Sequence, residues 1–327
     1  MTTVSARRFL PEIEVRLPHI LPFASYGEMT PEANAAWNAP FGPADEFDLD
    51  VRNTAFDGPH GPVPVRVYTP RTPAPAGGRP ALVWSHGGAF FFGNLDMPEA
   101  DVTSRAVAGR ADAVVISVDY RLCPNPFAGE TGPNAVRFPI PHDDVLAAFD
   151  GVHAAAEELG IDPARIAIGG SSAGANLAAG VALRLSEEGR TPWQMLLIFG
   201  VFHSPLPKPS PELAEALAIV PPALGGTPKA DGPGPIELNY YGDLGPVPHA
   251  MPGHASDLSV MPPAYLESDE FDALRASGEL FALQLREAGI TVEERLVPGV
   301  PHGHLNWIGL SECTKTHEAM ATRLRRA

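Results

Sequence analysis

Two serines stand between glycines in the run GGSSAGAN at residues 169–176. Centred on Ser172, residues 170–174 match the pattern GxSxG, whereas centring on Ser171 puts an alanine where the second glycine belongs. Glycines at those two places let a strand turn sharply into a helix, with the serine hydroxyl held at the helix N-terminus. The alternative is a plain glycine turn with a serine N-cap. Ser172 is therefore the candidate nucleophile of a covalent reaction.

A serine hydroxyl is a poor nucleophile unless a histidine takes its proton and a carboxylate orients that histidine. Residues 268–275 (SDEFDALR) offer three acids, Asp269, Glu270 and Asp272. Residues 298–304 (PGVPHGH) follow with two histidines, His302 and His304. The alternative interpretation is that the acids cap the next helix and that the histidines are ordinary loop residues. The order serine, acid, histidine favours acyl transfer.

Another glycine-containing run, HGGAFFFG at residues 86–93, follows a predicted strand. Glycines there leave backbone N–H groups with no side chain in the way, which is what stabilising an oxyanion requires. On its own the run is equally consistent with a plain turn. Phe91 and Phe92 either line a pocket or belong to the core.

The elements around these runs alternate between strands and helices. Apolar runs at 81–84 and 113–118 are typical of strands buried on both faces, with a helix predicted between them at 98–111. The other predicted elements are an edge hairpin at 50–53 and 63–68, helix 143–159, strand 166–168, helix 173–185, strand 195–199, strand 264–267, helix 276–288, strand 292–297 and helix 312–325. This alternation predicts an α/β fold with a mostly parallel, doubly wound sheet. Ligands of such sheets bind at the carboxyl ends of the strands, where the chemical runs lie.

Two segments stand outside this alternation and divide the chain. Residues 1–45 are rich in proline and are predicted to form an N-terminal cap segment. Residues 203–262 hold several proline clusters and little regular pattern, which favours an inserted lid or cap. The core of the fold then comprises residues 46–202 and 263–327.

Composition argues against several classes of function. A chain of 327 residues, 44% of them hydrophobic, is long enough for a globular domain with a large core. Its formal net charge of −16 disfavours nucleic acid and anionic membrane surfaces as partners. Two cysteines, Cys123 and Cys313, suggest neither a disulfide framework nor a metal cluster. With no signal-peptide pattern and no apolar run of membrane-spanning length, we expect a cytoplasmic protein without membrane insertion.

Together these runs resemble the hormone-sensitive-lipase-like family of α/β-hydrolases, in particular its bacterial carboxylesterases. The resemblance covers about residues 60–310. It rests on HGGAF (86–90) for the family's HGGGF, DYRLCPN (119–125) for DYRLAPE, FPIPHDD (138–144) for FPAAxxD, GSSAGANLA (170–178) for GDSAGGNLA, PPAYLESDEFDALRASGE (262–279), and PHGHLN (301–306) for HGF-type endings. The resemblance implies an α/β-hydrolase fold and a serine carboxylesterase that hydrolyses short-to-medium acyl esters through an acyl-enzyme.

The family motifs also imply roles for single residues. The family's acid precedes a Leu-Arg pair, which selects Asp272, and its histidine precedes a glycine, which selects His302. The implied oxyanion donors are the N–H groups of Gly87, Gly88 and Ala173. The implied substrate contacts are Ala89, Phe90 and Ser171. His86 is implied to organise its loop rather than to carry a proton.

Two positions depart from the family pattern. Ala89 replaces the third glycine of HGGG, and its methyl group is expected to narrow access for esters of bulky tertiary alcohols. Ser171 replaces an aspartate and so removes one negative charge beside the nucleophile. Neither departure deletes a catalytic group.

The resemblance implies no cofactor and no metal, a small-molecule ester as the partner and, since family members commonly pair, a homodimer. One rival function is a non-hydrolytic member that uses the same cleft as a receptor-like binder, or a lyase or amidase. Another is a scaffold whose lid recognises a partner protein. An intact set of Ser172, Asp272 and His302 disfavours the receptor-like class but leaves a lyase or amidase open.

Overall fold

The computed structural model describes residues 8–129, 135–225 and 232–326 of the chain. Its strands are Leu49–Phe56 (β1), Val63–Pro70 (β2), Arg79–Ser85 (β3), Val114–Val118 (β4), Ile161–Ser171 (β5), Met195–Ile198 (β6), Ala264–Phe271 (β7) and Val292–Pro301 (β8). Its α-helices are Pro11–Glu14 (α1), Pro31–Trp37 (α2), Pro98–Ala111 (α3), Ile140–Ala154 (α4), Ala156–Leu159 (α5), Ala173–Glu187 (α6), Pro211–Leu217 (α7), Pro235–Tyr241 (α8), Arg275–Glu287 (α9) and Ser311–Leu324 (α10).

The strands form one sheet in the order β1-β2-β4-β3-β5-β6-β7-β8. Strand β2 runs antiparallel to both β1 and β4, and the other neighbouring pairs are parallel. All residues of β3 and β4 are buried, as expected for strands covered by helices on both faces. The prediction of an α/β fold with a mostly parallel sheet is confirmed.

Alternate residues of the central strands belong to two different apolar cores. In β3, Val83 lies in the core that holds α4, α6 and α9, whereas Leu82 lies in the core that holds α3 and α10. Side chains of a strand alternate between the two faces of a sheet, so the sheet separates the two cores. The loops at its carboxyl edge therefore leave from strands that are packed on both sides.

The N-terminal segment and the insertion after β6 pack outside the sheet. Buried Phe9, Ile13 and Trp37 of the N-terminal segment join the core of α3 and α10. The insertion holds α7 and α8, so it is more regular than its proline-rich sequence indicates. Residues 1–7 of the first segment and 226–231 of the second lie outside the described residues. Among the helices of the described ranges, none combines the length and the apolarity needed to cross a membrane.

Candidate active site

Ser172 lies in the sharp turn between β5 and α6, with φ 51° and ψ −117°. This conformation is strained for a residue with a Cβ and costs about 1–3 kcal/mol. A Cβ on Gly170 would lie 2.3 Å from the carbonyl carbon of Gly174, and a Cβ on Gly174 would lie 2.1 Å from the carbonyl oxygen of Ser85. Both glycines of the GxSxG pattern are therefore required by close backbone contacts.

The side chains of Ser172, His302 and Asp272 meet in a continuous hydrogen-bonded chain. Ser172 Oγ lies 3.0 Å from His302 Nε2, and His302 Nδ1 lies 2.6 Å from Asp272 Oδ2. An ionised carboxylate can only accept, so Nδ1 carries a proton and Nε2 of the neutral ring accepts from the serine hydroxyl. This is the tautomer that a general base for Ser172 needs.

Three parallel strands supply these groups at one edge of the sheet. Ser172 follows β5, Asp272 follows β7 and His302 follows β8. Because the strands are parallel, their carboxyl ends lie on the same side. The second oxygen of Asp272 accepts from the N–H of Leu274 at 2.8 Å, which fixes the carboxylate. Ser172 is 8% exposed and the His302 side chain 35% exposed, so solvent reaches the site.

The pKa of His302 is raised to about 9. Burial by itself lowers this pKa, because it penalises the charged ring. The Asp272 carboxylate outweighs burial through its charge and its hydrogen bond, with help from Asp269 and Glu99. These carboxylates therefore favour the imidazolium form of the ring.

The run after β3 folds into a tight loop beside Ser172, the oxyanion loop of residues 86–93. Three consecutive residues have positive φ: Gly88 (112°), Ala89 (50°) and Phe90 (66°). A Cβ on Gly88 would lie 1.9 Å from the carbonyl oxygen of Phe92, so only glycine fits there. Short turns of unusual φ can gather backbone N–H groups into a concave site that suits anion binding.

Buried His86 organises the start of this loop. Its ring stacks on that of Tyr120 with a centroid distance of 4.6 Å, and burial lowers its pKa to about 4. The Tyr120 hydroxyl donates to the His86 carbonyl oxygen at 2.9 Å. A neutral, enclosed imidazole of this kind supports the loop and does not carry a proton for the reaction.

The structure contradicts the prediction that Gly87 supplies an oxyanion donor. Its N–H donates to Oε1 of Glu99 at 2.9 Å, so the group is not available to a substrate. Glu99 is buried in the first turn of α3 and also accepts from Asn306 Nδ2 at 3.3 Å. Within the described residues, three neighbouring N–H groups have no hydrogen-bond acceptor, those of Gly88, Ala89 and Ala173.

Two of the predicted substrate contacts are buried. Ser171 is 0% exposed and Phe90 is 1% exposed, so neither side chain lines an open surface of the site. The Phe90 ring stacks on Tyr240 of α8 with a centroid distance of 3.9 Å, which joins the insertion to the oxyanion loop. Ala89, by contrast, is partly exposed in the same loop.

Several residues near the site take roles that the sequence did not indicate. Glu99 has the sequence signature of an ordinary acid in the first turn of a helix, so no local signal marks its bond to the loop. Asp269 and His304, two of the candidates for the catalytic pair, bind each other at 2.7 Å instead. Glu270, the third candidate acid, accepts from the N–H of Gly299 at 2.8 Å.

Comparison with known proteins identifies relatives across most of the chain. Residues 82–306 match a family described by the alpha/beta hydrolase fold. Carboxylesterase NlhH of Mycobacterium tuberculosis is 36% identical over 264 residues, covering 80% of this chain and 77% of that protein. Esterase LipI of the same organism is 32% identical over 266 residues, with the same coverage. A solved bacterial heroin esterase has a TM-score of 0.72 at 31% identity over 98% of both chains.

These comparisons bear on both the fold and the activity. A solved esterase of Pyrobaculum calidifontis also matches, with a TM-score of 0.71 at 31% identity over 84% of both chains. Relatives named as esterases and carboxylesterases confirm the prediction of a carboxylic ester hydrolase. The matched residues include the oxyanion loop and all three members of the hydrogen-bonded chain. The predicted resemblance is confirmed, and this chain belongs to the α/β-hydrolase family.

Proposed function

We propose that the chain is a serine carboxylesterase in which Ser172 carries the acyl group. The Ser172 oxygen attacks the ester carbonyl carbon while His302 Nε2 takes the hydroxyl proton. The imidazolium then gives that proton to the departing alcohol as the C–O bond breaks, which leaves the acyl group on Ser172. Water, deprotonated by His302, attacks the acyl-enzyme and releases the acid. Asp272 keeps the ring in its tautomer and stabilises the imidazolium.

One observation carries this proposal. The path from Ser172 Oγ through His302 to Asp272 is continuous, with contacts of 3.0 and 2.6 Å. These lie within the hydrogen-bond range that proton transfer requires, and the serine is at a helix N-terminus.

The negative oxygen of the tetrahedral intermediate is assigned to the N–H groups of Gly88, Ala89 and Ala173. Ala173 is the first residue of α6, where N–H groups have no acceptor within the helix. Glu99 holds the preceding N–H of Gly87 and so supports the loop that presents two of these donors. Donors fixed before the reaction stabilise developing charge without reorganisation.

The proposed substrates are small esters with short-to-medium acyl chains. Residues 1–45 and 203–262 are assigned as cap segments over the pocket, around a core of 46–202 and 263–327. Partly exposed Ala89 and half-exposed Phe92 of the oxyanion loop offer apolar contact to such esters. The carboxylates around His302 disfavour anionic substrates. The homodimer and the cytoplasmic location stay predictions.

Ser172→Ala tests the assignment of the nucleophile. We expect turnover of p-nitrophenyl esters, from acetate to palmitate, to fall by several powers of ten. A fluorophosphonate should label the wild-type protein and not the variant. Ser186→Ala, also on α6 and buried, is the control and should keep wild-type turnover. Wild-type rates in Ser172→Ala, or no labelling of the wild-type protein, would overturn the proposal.

A further inference from the structure

A second carboxylate–imidazole pair lies beside the proposed triad, formed by Asp269 and His304. Both side chains are fully buried, and Asp269 Oδ1 lies 2.7 Å from His304 Nδ1. The other oxygen of Asp269 accepts from the N–H of Gly303 at 3.0 Å. Gly303 directly follows His302, so one carboxylate holds the histidine loop, residues 302–306, at two points.

The partners of His304 favour donation from both of its ring nitrogens. Nδ1 faces the Asp269 carboxylate, which accepts. Nε2 lies 2.9 Å from Thr316 Oγ1, and the Thr316 hydroxyl donates its one proton to Glu267 Oε2 at 2.6 Å. The hydroxyl oxygen is then an acceptor toward His304. We therefore assign the ring as an imidazolium that forms a buried ion pair with Asp269; burial raises the pKa of Asp269, and the charge of His304 and its hydrogen bond oppose that rise.

Charged and titratable groups from three elements face His304. Asp269 and Glu267 of β7 favour the imidazolium, and Arg295 of β8 opposes it. Burial alone lowers the pKa of His304, but the two acids outweigh it and the pKa is raised. His317 of α10 also faces the ring, and burial lowers the pKa of His317 to about 3, so it adds no charge near neutrality.

The Asp269–His304 pair is coupled to His302 through charge and through packing. The groups that face His302 are Asp269 and Asp272 at the end of β7, Glu99 of α3, and the Ser172 hydroxyl. The ring of Phe199 makes edge contacts with His302 at 5.1 Å and with His304 at 5.4 Å. Phe199 therefore packs against both imidazoles and links their positions.

On the basis of the esterase function proposed above, we propose that Asp269 and His304 are positioning residues for the reaction. They hold the histidine loop so that His302 keeps its bonds to Ser172 and Asp272, and the Asp269 carboxylate favours the imidazolium formed in the transition state. Neither residue contacts the reacting atoms. The HGF-type ending of the family that this chain resembles often has phenylalanine where this chain has His304.

Asp269→Asn removes the charge at nearly constant shape. We expect kcat for a short-acyl p-nitrophenyl ester to fall roughly tenfold to a hundredfold with KM nearly unchanged, because the loop and not a substrate contact is disturbed. Since a negative charge facing His302 is lost, the acid limb of kcat/KM should move to lower pH. Rates are expressed per fluorophosphonate-reactive site, so misfolded protein is not counted.

The pair His304→Asn and His304→Leu isolates the hydrogen bond to Asp269. Asparagine keeps an N–H donor near the position of Nδ1, whereas leucine has a similar shape and no donor. We expect the asparagine variant to keep a kcat several times that of the leucine variant. Equal kcat values in the two variants, both at the wild-type level, would contradict a role for this bond.

Asp144→Asn is the matched control. It removes a buried carboxylate that pairs with Arg121 and makes no bond to His302 or His304 in the described part of the chain. We expect wild-type kcat and an unmoved acid limb. Ser172→Ala, measured in parallel, separates the two proposals. An active Ser172→Ala overturns the esterase mechanism, whereas an inactive one beside wild-type kcat and acid limb in Asp269→Asn overturns the positioning role alone.

Discussion

Glu99 joins two loops of the site through one buried carboxylate. One oxygen accepts from the N–H of Gly87 at 2.9 Å, and the other lies 3.3 Å from Asn306 Nδ2. Burial raises the pKa of Glu99, and the positive charge of His302 works against that rise. The ionised carboxylate in turn favours the protonated form of His302. The shape of the oxyanion loop and the basicity of the histidine therefore depend on the same residue.

The charge on Glu99 should be visible in the pH dependence of the reaction. His302 must be neutral to take the serine proton, and its pKa is raised to about 9. We therefore expect kcat/KM to rise with pH and to level off only above the ordinary histidine range. Glu99→Gln keeps the shape and removes the charge, so the acid limb should move to lower pH.

Asp101→Asn is the control for this experiment. Asp101 lies on the same helix but bonds to Tyr68 at 2.8 Å and to Arg105 at 2.7 Å, away from the site. Removing the charge of Asp101 should leave the acid limb of the kcat/KM profile unchanged. If Glu99→Gln also leaves the limb unchanged, the charge of Glu99 does not act on His302.

At the scale of elements, the N-terminal segment packs against the loops that carry Asp272 and His302. The ring of Phe9 lies 4.4 Å from that of Phe271, the residue before Asp272. The N–H of Leu10 donates to the carbonyl oxygen of Gly299 at 2.8 Å, three residues before His302. The segment predicted as a cap therefore also packs against the loops of Asp272 and His302 and stabilises them.

A second set of contacts holds the far side of the histidine loop. The N–H of Phe41 donates to the carbonyl oxygen of Ile308 at 2.7 Å. Trp37 packs edge-on against Trp307 with a centroid distance of 5.1 Å. The N-terminal segment thus contacts the chain on both sides of the histidine loop.

Phe9→Ala tests whether the N-terminal segment stabilises the loops that hold Asp272 and His302 or only covers the site. We expect a stability loss of about 3 kcal/mol, because a buried ring is replaced by a cavity. We also expect kcat to fall several-fold with little change in KM, since Phe271 loses support next to Asp272. Val15→Ala is the control, because Val15 belongs to the same segment and is mostly exposed. A segment that only covers the pocket would instead raise KM and leave kcat unchanged.

At the scale of the whole molecule, buried histidines set the response of stability to acid. Burial lowers the pKa of His86 and of His203 to about 4 and that of His317 to about 3. An unfolded histidine titrates near pH 6.5, so below that value the unfolded chain binds more protons than the folded chain. Stability then falls as the pH falls, by about 2 kcal/mol per histidine at pH 5.

We expect the melting temperature to be highest near neutrality and to drop between about pH 6.5 and pH 4. His302 and His304 have the opposite sign: the raised pKa of each gives stability that is present below about pH 6.5 and is lost as the pH rises, toward about 9 for His302. Thermal melts between about pH 4 and pH 9 test both the loss of stability in acid and the loss of stability as the pH rises. His317→Gln should flatten the acid arm, by about 2 kcal/mol at pH 5, while His153→Gln, at an exposed position, should not. An unchanged acid arm in His317→Gln would contradict the assignment.

The prediction of the fold succeeded where single elements carry strong local patterns. Continuous apolar runs at 81–84 and 113–118 predicted strands that are now β3 and β4, because strands buried on both faces have no polar side. The helices of the insertion were harder to predict from the sequence, because α7 and α8 are only seven residues each and lie among prolines. Their order comes from packing, as in the contact between Tyr240 and Phe90, which no local pattern contains.

The sequence by itself determined the turn that presents Ser172 and the order of serine, acids and histidines along the chain. The turn depends on residues within a few positions of one another, through glycine sterics and strand burial, and the order of the groups is a property of the chain itself. The residues alone left three acids and two histidines open, and the family resemblance selected Asp272 and His302. Only the tertiary structure decided that His304 pairs with Asp269 and that Glu99 accepts from the N–H of Gly87. These two choices join groups 35 and 12 positions apart, and their distances are set only when β3, β7 and β8 assemble into one sheet.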